Sequence, residues 1–446
     1  MSSTIVAIAT ATATSSISIV RVSGIDALKI AKSITRRDEF KERFAYLSSL
    51  YGRDGELIDQ AVVIYFKAPK SFTGEDIVEF QCHGGHIVAN EILESAIYYG
   101  ARLAQAGEFS KRAFLNGKID LTEAEAISKI IEAKSINGAK ILARQLKGEL
   151  KKFIDETRDE LLKAISYAEV MIDYAEEDIP DDIINTLRDI VGSLELKMRR
   201  LVESSKRREG LISGFRVAII GKPNVGKSSL LNSLLNYDRA IVSNVAGTTR
   251  DTIEEEIKIS THRVRLIDTA GIRDATDEVE KIGVGRSIAS LEDADIIVAM
   301  FDNSREFTDE DSEILELIDR NGDKSIIVAL NKVDLHREFD ISRIEKFNYL
   351  EITADRDYEP IVDEISKILD SIGDMEEPML ISNRQIEAVS KARDALLIAR
   401  EPLLNGELEL FSYHLQDSVK YISSISKPFD SEEILDKMFS QFCLGK

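Results

Sequence analysis

Gly221-Lys222-Pro223-Asn224-Val225-Gly226-Lys227-Ser228 stands between two apolar runs, Val217 to Ile220 before it and Leu230 to Leu235 after it. The first run reads as a strand and the second as a helix, so the eight residues form a glycine-bearing turn from strand into helix. That context suits a phosphate-binding loop. Glycine lets backbone N–H groups curl around phosphate oxygens, and the helix N-terminus adds positive potential. Asn224, Val225, Gly226, Lys227, Ser228 and Ser229 would line the phosphates, with Lys227 reaching the β and γ groups and the Ser228 hydroxyl ligating Mg²⁺. The same alternation of strand and helix continues from about residue 213 to 374, which predicts a doubly wound α/β domain.

Three further motifs follow in fixed order. Ser243-Asn244-Val245-Ala246-Gly247-Thr248-Thr249-Arg250-Asp251 lies where a switch loop is expected, with Thr249 placed to complete the Mg²⁺ shell. Asp268-Thr269-Ala270-Gly271 ends a strand-like run, Val264 to Ile267; Asp268 can hold the metal through water, and Gly271 can offer its N–H to a γ-phosphate. Asn331-Lys332-Val333-Asp334 ends another, Ser325 to Leu330. One carboxylate, Asp334, can accept both donors on the edge of guanine, whereas adenine would leave it unpaired at a cost of roughly 1–3 kcal/mol. Thr353-Ala354-Asp355 fits a backbone contact to the guanine oxygen. Four ordered motifs at strand ends predict binding and hydrolysis of GTP, with GDP retained as product.

The hydrolytic step departs from Ras, where a glutamine after the Asp-x-x-Gly motif orients the attacking water. Ile272 occupies that place and cannot bond a water, so Asp274, Asp277, Glu278 and Glu280 become the candidates. Arg250 and Arg273 could supply positive charge or simply be solvated ion-pair partners. Asn224 offers another route: its side-chain oxygen, with carbonyls of Ser243 and Val245, could hold K⁺ near the phosphates. It reads equally as a turn residue bonding its own backbone.

The 446 residues suggest about three domains. Two cysteines, Cys82 and Cys443, suit a reducing cytoplasm rather than a disulfide framework. No apolar run approaches the ~18 residues of a membrane span, so no membrane is expected. A formal charge of −21 argues against a broad nucleic-acid footprint and confines any RNA contact to a local patch or a basic partner. Residues 1–118 mix strands, such as Ala61 to Phe66 and Ile77 to Phe80, with short helices, an α+β pattern. Residues 119–212 carry apolar residues three and four apart (Leu150, Leu161, Ile165, Ala168), predicting long helices with a break at Pro180. Helical texture returns over 375–446, so the domain at 213–374 reads as an insertion into one helical domain, or as a divider between two helical pieces.

Outside the nucleotide motifs the chain carries Ser71-Phe72-Thr73-Gly74-Glu75-Asp76, Cys82-His83-Gly84-Gly85, a run from Gly107 to Lys118, Leu121-Thr122-Glu123-Ala124-Glu125-Ala126, and terminal Phe442-Cys443-Leu444-Gly445-Lys446. With these the chain resembles, over essentially its whole length, the tRNA-modification GTPase family called MnmE or TrmE. The resemblance implies a homodimer joined through an N-terminal folate-binding domain that takes 5-formyltetrahydrofolate. It also implies a flavoprotein partner of the MnmG/GidA type, tRNA as substrate, and an aminomethyl-type group placed on C5 of the wobble uridine. K⁺-dependent pairing of GTPase domains would trigger hydrolysis, with Asn224, Ser243, Val245 and Thr248 as K⁺ ligands and Glu280 as the water-orienting carboxylate. Arg21, Glu79, Lys118 and Lys446 match the family's folate contacts, and Cys443 is a site residue of open role. Read alone, Glu79 is a charge on a strand face, and Arg21 and Lys118 are solvated. Where the family carries a Pro-Pro-Gly-x-Gly-type loop, this chain has Ala11-Thr12-Ala13-Thr14-Ser15-Ser16, with different backbone freedom. A competing reading is a GTP-dependent assembly or signalling switch, for instance on ribosomes, without one-carbon chemistry.

Overall fold

The computed structural model describes residues 3–11, 15–133, 135–173, 181–237, 255–267, 291, 293–322, 324–372, 377–427, 432–440, 442 and 445. The chain divides into two compact units. One gathers Met1–Ser128, Gln145–Glu195 and Ser382–Lys446, and the other gathers Lys129–Arg144 and Leu196–Ile381. The molecule is a multidomain α/β and α protein: an α+β N-terminal domain, a helical domain, and a doubly wound domain carrying the phosphate loop.

In the first unit, alternating sequence becomes strands β1 (Ile5–Ile8), β2 (Ile17–Ser23), β3 (Ala45–Tyr51), β4 (Leu57–Phe66), β5 (Ile77–His83) and β6 (Arg102–Leu103). They order as β3-β4-β5-β2-β1-β6, antiparallel except that β6 runs parallel to β1. Side chains alternate between faces with period two. Val20, Val22, Val63, Val78 and Phe80 therefore share one buried face, roofed by helices Ala27–Thr35 and His86–Tyr98. The odd-numbered residues of β2 and β5 point the other way. There Arg21 and Glu79 meet as register partners, and Phe109 packs with Ile5, Ala7, Ala104 and Phe72.

The remaining helices of this unit bury stripes set by the 3.6-residue period. Helix Glu149–Asp173 hides Leu150, Ile154, Leu161, Ala164, Ile165, Ala168 and Met171. It packs on Leu408–Ser423, which in turn packs on Asn383–Asn405. Gly445, at φ +90°, would bring a Cβ to 2.5 Å from the Ile8 carbonyl, so Gly445 lies against the end of β1.

The second unit holds β7 (Phe215–Gly221), β8 (Glu255–Ile259), β9 (His262–Ile267), β10 (Ile296–Asp302), β11 (Ser325–Asn331) and β12 (Tyr349–Ile352). Their order is β12-β11-β10-β7-β9-β8, with only β8 antiparallel to its neighbour. All seven residues of β10 are buried, as expected where helices cover both faces of a parallel sheet. Helices Lys227–Tyr237, Asp309–Arg320 and Glu359–Ser371 supply that cover. Strand order reverses between β7 and β10, so a crevice opens at their carboxyl ends. Residues Lys129–Arg144 go with this unit; a Cβ on Gly138 would stand 2.3 Å from the Leu211 carbonyl, a distance only glycine permits.

Candidate functional site

The crevice beyond β7, β10 and β11 receives three of the sequence motifs. The phosphate loop leaves β7 at Gly221, whose Cβ, if present, would lie 2.7 Å from the Met300 carbonyl. At Gly226 (φ +108°) a Cβ would fall 2.2 Å from Asn331 Nδ2. Glycine is required there because a neighbouring loop reaches in, as well as for its backbone freedom. Ser228 and Ser229 are exposed in the first turn of helix Lys227–Tyr237. N–H groups of a first turn have no partner within their own helix and are available to an anion.

Lys227 Nζ folds back on its own loop, donating to the carbonyls of Gly221 at 2.7 Å and Lys222 at 3.0 Å. A strongly hydrated ammonium on a flexible stem can exchange such carbonyls for phosphate oxygens. Lys222 itself turns inward. It is buried and pairs with fully buried Asp311 at 2.7 Å, while Asp311 also closes the capping box of helix Asp309–Arg320 through Thr308. A cleft of about 750 Å³ opens beside Lys222, Pro223 and Asn224, opposite Arg305 and Glu338.

The Asn331-Lys332-Val333-Asp334 loop is tied to the phosphate loop. Asn331 Nδ2 donates to the Val225 carbonyl at 2.7 Å, and Asn331 Oδ1 accepts from the Ala354 N–H at 2.9 Å. One buried amide thus joins three loops that the sequence had marked separately. Thr353 pairs with Asp357 in a short bridge, and Ser233 donates to the Ala354 carbonyl at 2.7 Å, which fixes the Thr353-Ala354 turn. Lys332 donates to the Asn224 carbonyl at 2.8 Å and to Asp302 at 2.7 Å. Asp334 is exposed at the mouth of the crevice. Ser243, Asn244, Val245, Ala246, Gly247, Thr248, Thr249, Asp268, Thr269, Ala270, Gly271 and Glu280 lie outside the described residues.

A second constellation sits on the opposite face of the first sheet, the one carrying Arg21 and Glu79. Arg21 and Glu79 pair at 2.8 Å, with a second bond from Arg21 Nε at 2.9 Å to the same oxygen, Glu79 Oε1. The guanidinium stands 5.7 Å from the ring centroids of both Phe72 and Phe109, within cation–π range. Lys118 donates to the Pro69 carbonyl at 3.0 Å and packs close to Gly74. The loop from Pro69 to Glu75 is what brings these residues into one neighbourhood. It is anchored by Ser23 on Glu75 at 2.8 Å and by Arg112, which reaches both Glu75 oxygens at 3.1 and 3.0 Å. Arg112 also bonds Glu108, which takes a further pair of bonds from Arg102. Burial raises the Glu108 pKa, but bonds from Arg102, the Gln105 N–H and Arg112 outweigh it and bring the carboxyl down to about 2. Lys446 and Cys443 lie outside the described residues.

Family models match nearly the whole chain: the GTP-binding protein TrmE N-terminus over residues 4–118, and the MnmE helical domain over residues 121–443. A protein of Sulfurovum sp. named tRNA modification GTPase MnmE is 63% identical over 446 residues, covering 100% of this chain and 99% of its own. One of the same name from Aliarcobacter butzleri is 55% identical over 443 residues, 99% of each. The chain belongs to the MnmE family of tRNA modification GTPases.

Several residues of this MnmE-family chain that matter to the geometry had no signal of their own in the sequence. Asp302 and Asp311 are ordinary acidic residues until the fold sets Asp311 on Lys222 of the phosphate loop and Asp302 on Lys332 of the Asn331–Asp334 loop. Phe72, Glu75, Phe109 and Arg112 stood inside recognised motifs, yet only the folded sheet shows what they touch. Among the described residues no helix is long and apolar enough to cross a membrane.

Proposed function

We propose that this chain binds and hydrolyses GTP and couples that cycle to modification of the wobble uridine of tRNA. The observation that carries the reading is the three-loop junction at Asn331. Phosphate loop, base-reading loop and Ala354 turn converge on one buried amide, at the crevice where the strand order reverses. Asp334 would accept the N1–H and N2–H of guanine. Lys227 would turn from its own loop carbonyls to the β- and γ-phosphate oxygens, neutralising charge as it develops.

Ser228, at the open first turn of its helix, fits a Mg²⁺ ligand, with Thr249 and Asp268 completing the set; the ion supplies charge neutralisation on the phosphates. Asn224 fits the K⁺ reading because its carbonyl is engaged by Lys332, which leaves the side-chain oxygen as the donor to join Ser243, Val245 and Thr248. Glu280 would orient the water.

On the first sheet, both Arg21 bonds land on Glu79 Oε1, so Oε2 is the oxygen suited to the donor edge of a pterin. Phe72 and Phe109 steady the Arg21 guanidinium that holds Glu79 in place, and Lys118 with Lys446 would meet the glutamyl tail. The group bound there, 5-formyltetrahydrofolate or a related folate, would supply the one-carbon unit. In this reading the chain works in the cytoplasm as a homodimer with a flavoprotein of the MnmG/GidA type.

A nucleoside mass-spectrometric profile of tRNA from cells with and without the gene tests the reading. Deletion should remove an aminomethyl-type wobble uridine, the intact chain should restore it, and Asp268→Ala should not. An unchanged profile on deletion would sink the modification reading. Equal hydrolysis rates in K⁺ and Na⁺ at matched ionic strength would sink the K⁺ assignment alone.

A further inference from the structure

Asp302, the last residue of β10, is fully buried and carries bonds on both oxygens. Oδ1 accepts from the Ser304 N–H at 3.0 Å and the Ser304 hydroxyl at 2.7 Å. Oδ2 accepts from Lys332 Nζ at 2.7 Å and lies 3.7 Å from Arg305. The same Lys332 ammonium donates to the Asn224 carbonyl at 2.8 Å. Lys332 and Asn224 are both non-glycine residues in the left-handed region, at φ 65° and 61°. Side chains disfavour that conformation, so each needs an anchor, and here the two anchors are one chain of contacts. Burial pushes the Asp302 carboxyl up, but bonds from Lys332 and Ser304 prevail and hold it below the usual range, so it stays charged.

We infer that Asp302 is a positioning residue that, through Lys332, locks the base-reading loop to the phosphate loop before nucleotide arrives. Asp302 acts through Lys332 and not by contact with base or phosphate, since both its oxygens are taken by Ser304 and Lys332. It fixes Lys332, and Lys332 fixes the backbone at Asn224, so a guanine nucleotide meets both loops already in register. Without that carboxylate, Lys332 regains rotamer freedom, and the two loops must be ordered at the expense of binding. The inference rests on reading the crevice as a guanine-nucleotide site. A purely local role, in which Asp302 only caps its own turn through Ser304, would leave Lys332 out of the effect.

The experiment follows release of a fluorescent GDP analogue from the full-length chain by stopped flow, in four forms: unmodified, Asp302→Asn, Lys332→Gln, and both together. Asp302→Asn should speed release about tenfold, the loss expected for a charge-assisted bond. In the Lys332→Gln background the same change should add less than twofold, because the residue it acts through is gone. No acceleration in the first comparison, or equal acceleration in both backgrounds, overturns the inference. If melting shows that Asp302→Asn does not fold, Asp302→Ser, smaller and able to sit in the same space, takes its place in the cycle. Failure of the unmodified chain to bind the analogue would overturn the nucleotide reading and this inference together, whereas binding with additive effects overturns this inference alone.

Discussion

At the scale of single residues, position 226 shows how a sequence requirement and a tertiary one coincide. The motif asks for glycine so that the loop can curl, and the fold asks for it because Asn331 Nδ2 occupies the space of a Cβ. Gly226→Ala should therefore displace Asn331 and weaken GDP binding by at least a hundredfold in equilibrium titration, and the melting temperature of the nucleotide-free chain should also fall by several degrees, because the buried Asn331 amide loses its partners. Glu108 gives a residue-scale prediction in pH. Its folded pKa, about 2, lies below the ordinary 4.5, so its stabilisation is present above the ordinary value and is lost as pH falls toward 2. The melting temperature of Glu108→Gln should lie below that of the unmodified chain at neutral pH, with the gap closing over that acid window.

At the scale of elements, helix periodicity foretold which residues would be buried but not how charged residues within a stripe would be satisfied. Glu125 sits in helix Leu121–Glu132 among buried neighbours. It takes Arg384 at 2.8 and 3.1 Å, and also Gln385 and Ser382, all from the start of helix Asn383–Asn405. Removing one partner of a buried pair leaves the other uncompensated. Glu125→Ala should cost about 3 kcal/mol in urea unfolding, chiefly by stranding Arg384. In sequence these residues are 259 apart, and nothing in either segment signals the other. The strands tell the same story. Alternation in β2 and β5 was legible, and with it the burial of Val20 and Phe80, but the pairing of Arg21 with Glu79 required the register.

At the scale of the molecule, the nucleotide-binding sheet is made by chain lying between segments of the first unit. The two crossings stand close together, since Arg208 holds the carbonyls of Glu377 and Pro378 at 3.2 and 2.8 Å, and the Ser205 hydroxyl accepts from the Leu380 N–H. A short Gly-Ser linker in place of residues 213–374 should thus close without strain. The shortened chain should keep a cooperative melt and its helical circular dichroism while losing GDP binding; a non-cooperative, aggregating product would contradict this.

The sequence by itself determined the chemistry of the nucleotide loops, because phosphate and guanine recognition use short runs of backbone and side chain whose spacing is local. It also determined element types, because periodicity is local. Only the tertiary structure decided what holds those loops together. Asp302 on Lys332, Asp311 on Lys222 and Asn331 between Val225 and Ala354 are contacts between strand-end loops, or between such a loop and a helix start, distant in sequence. The same holds for Arg21 between Phe72 and Phe109. A buried charge or amide must find a partner wherever the fold supplies one, and that choice is made by strand order and register rather than by neighbours along the chain.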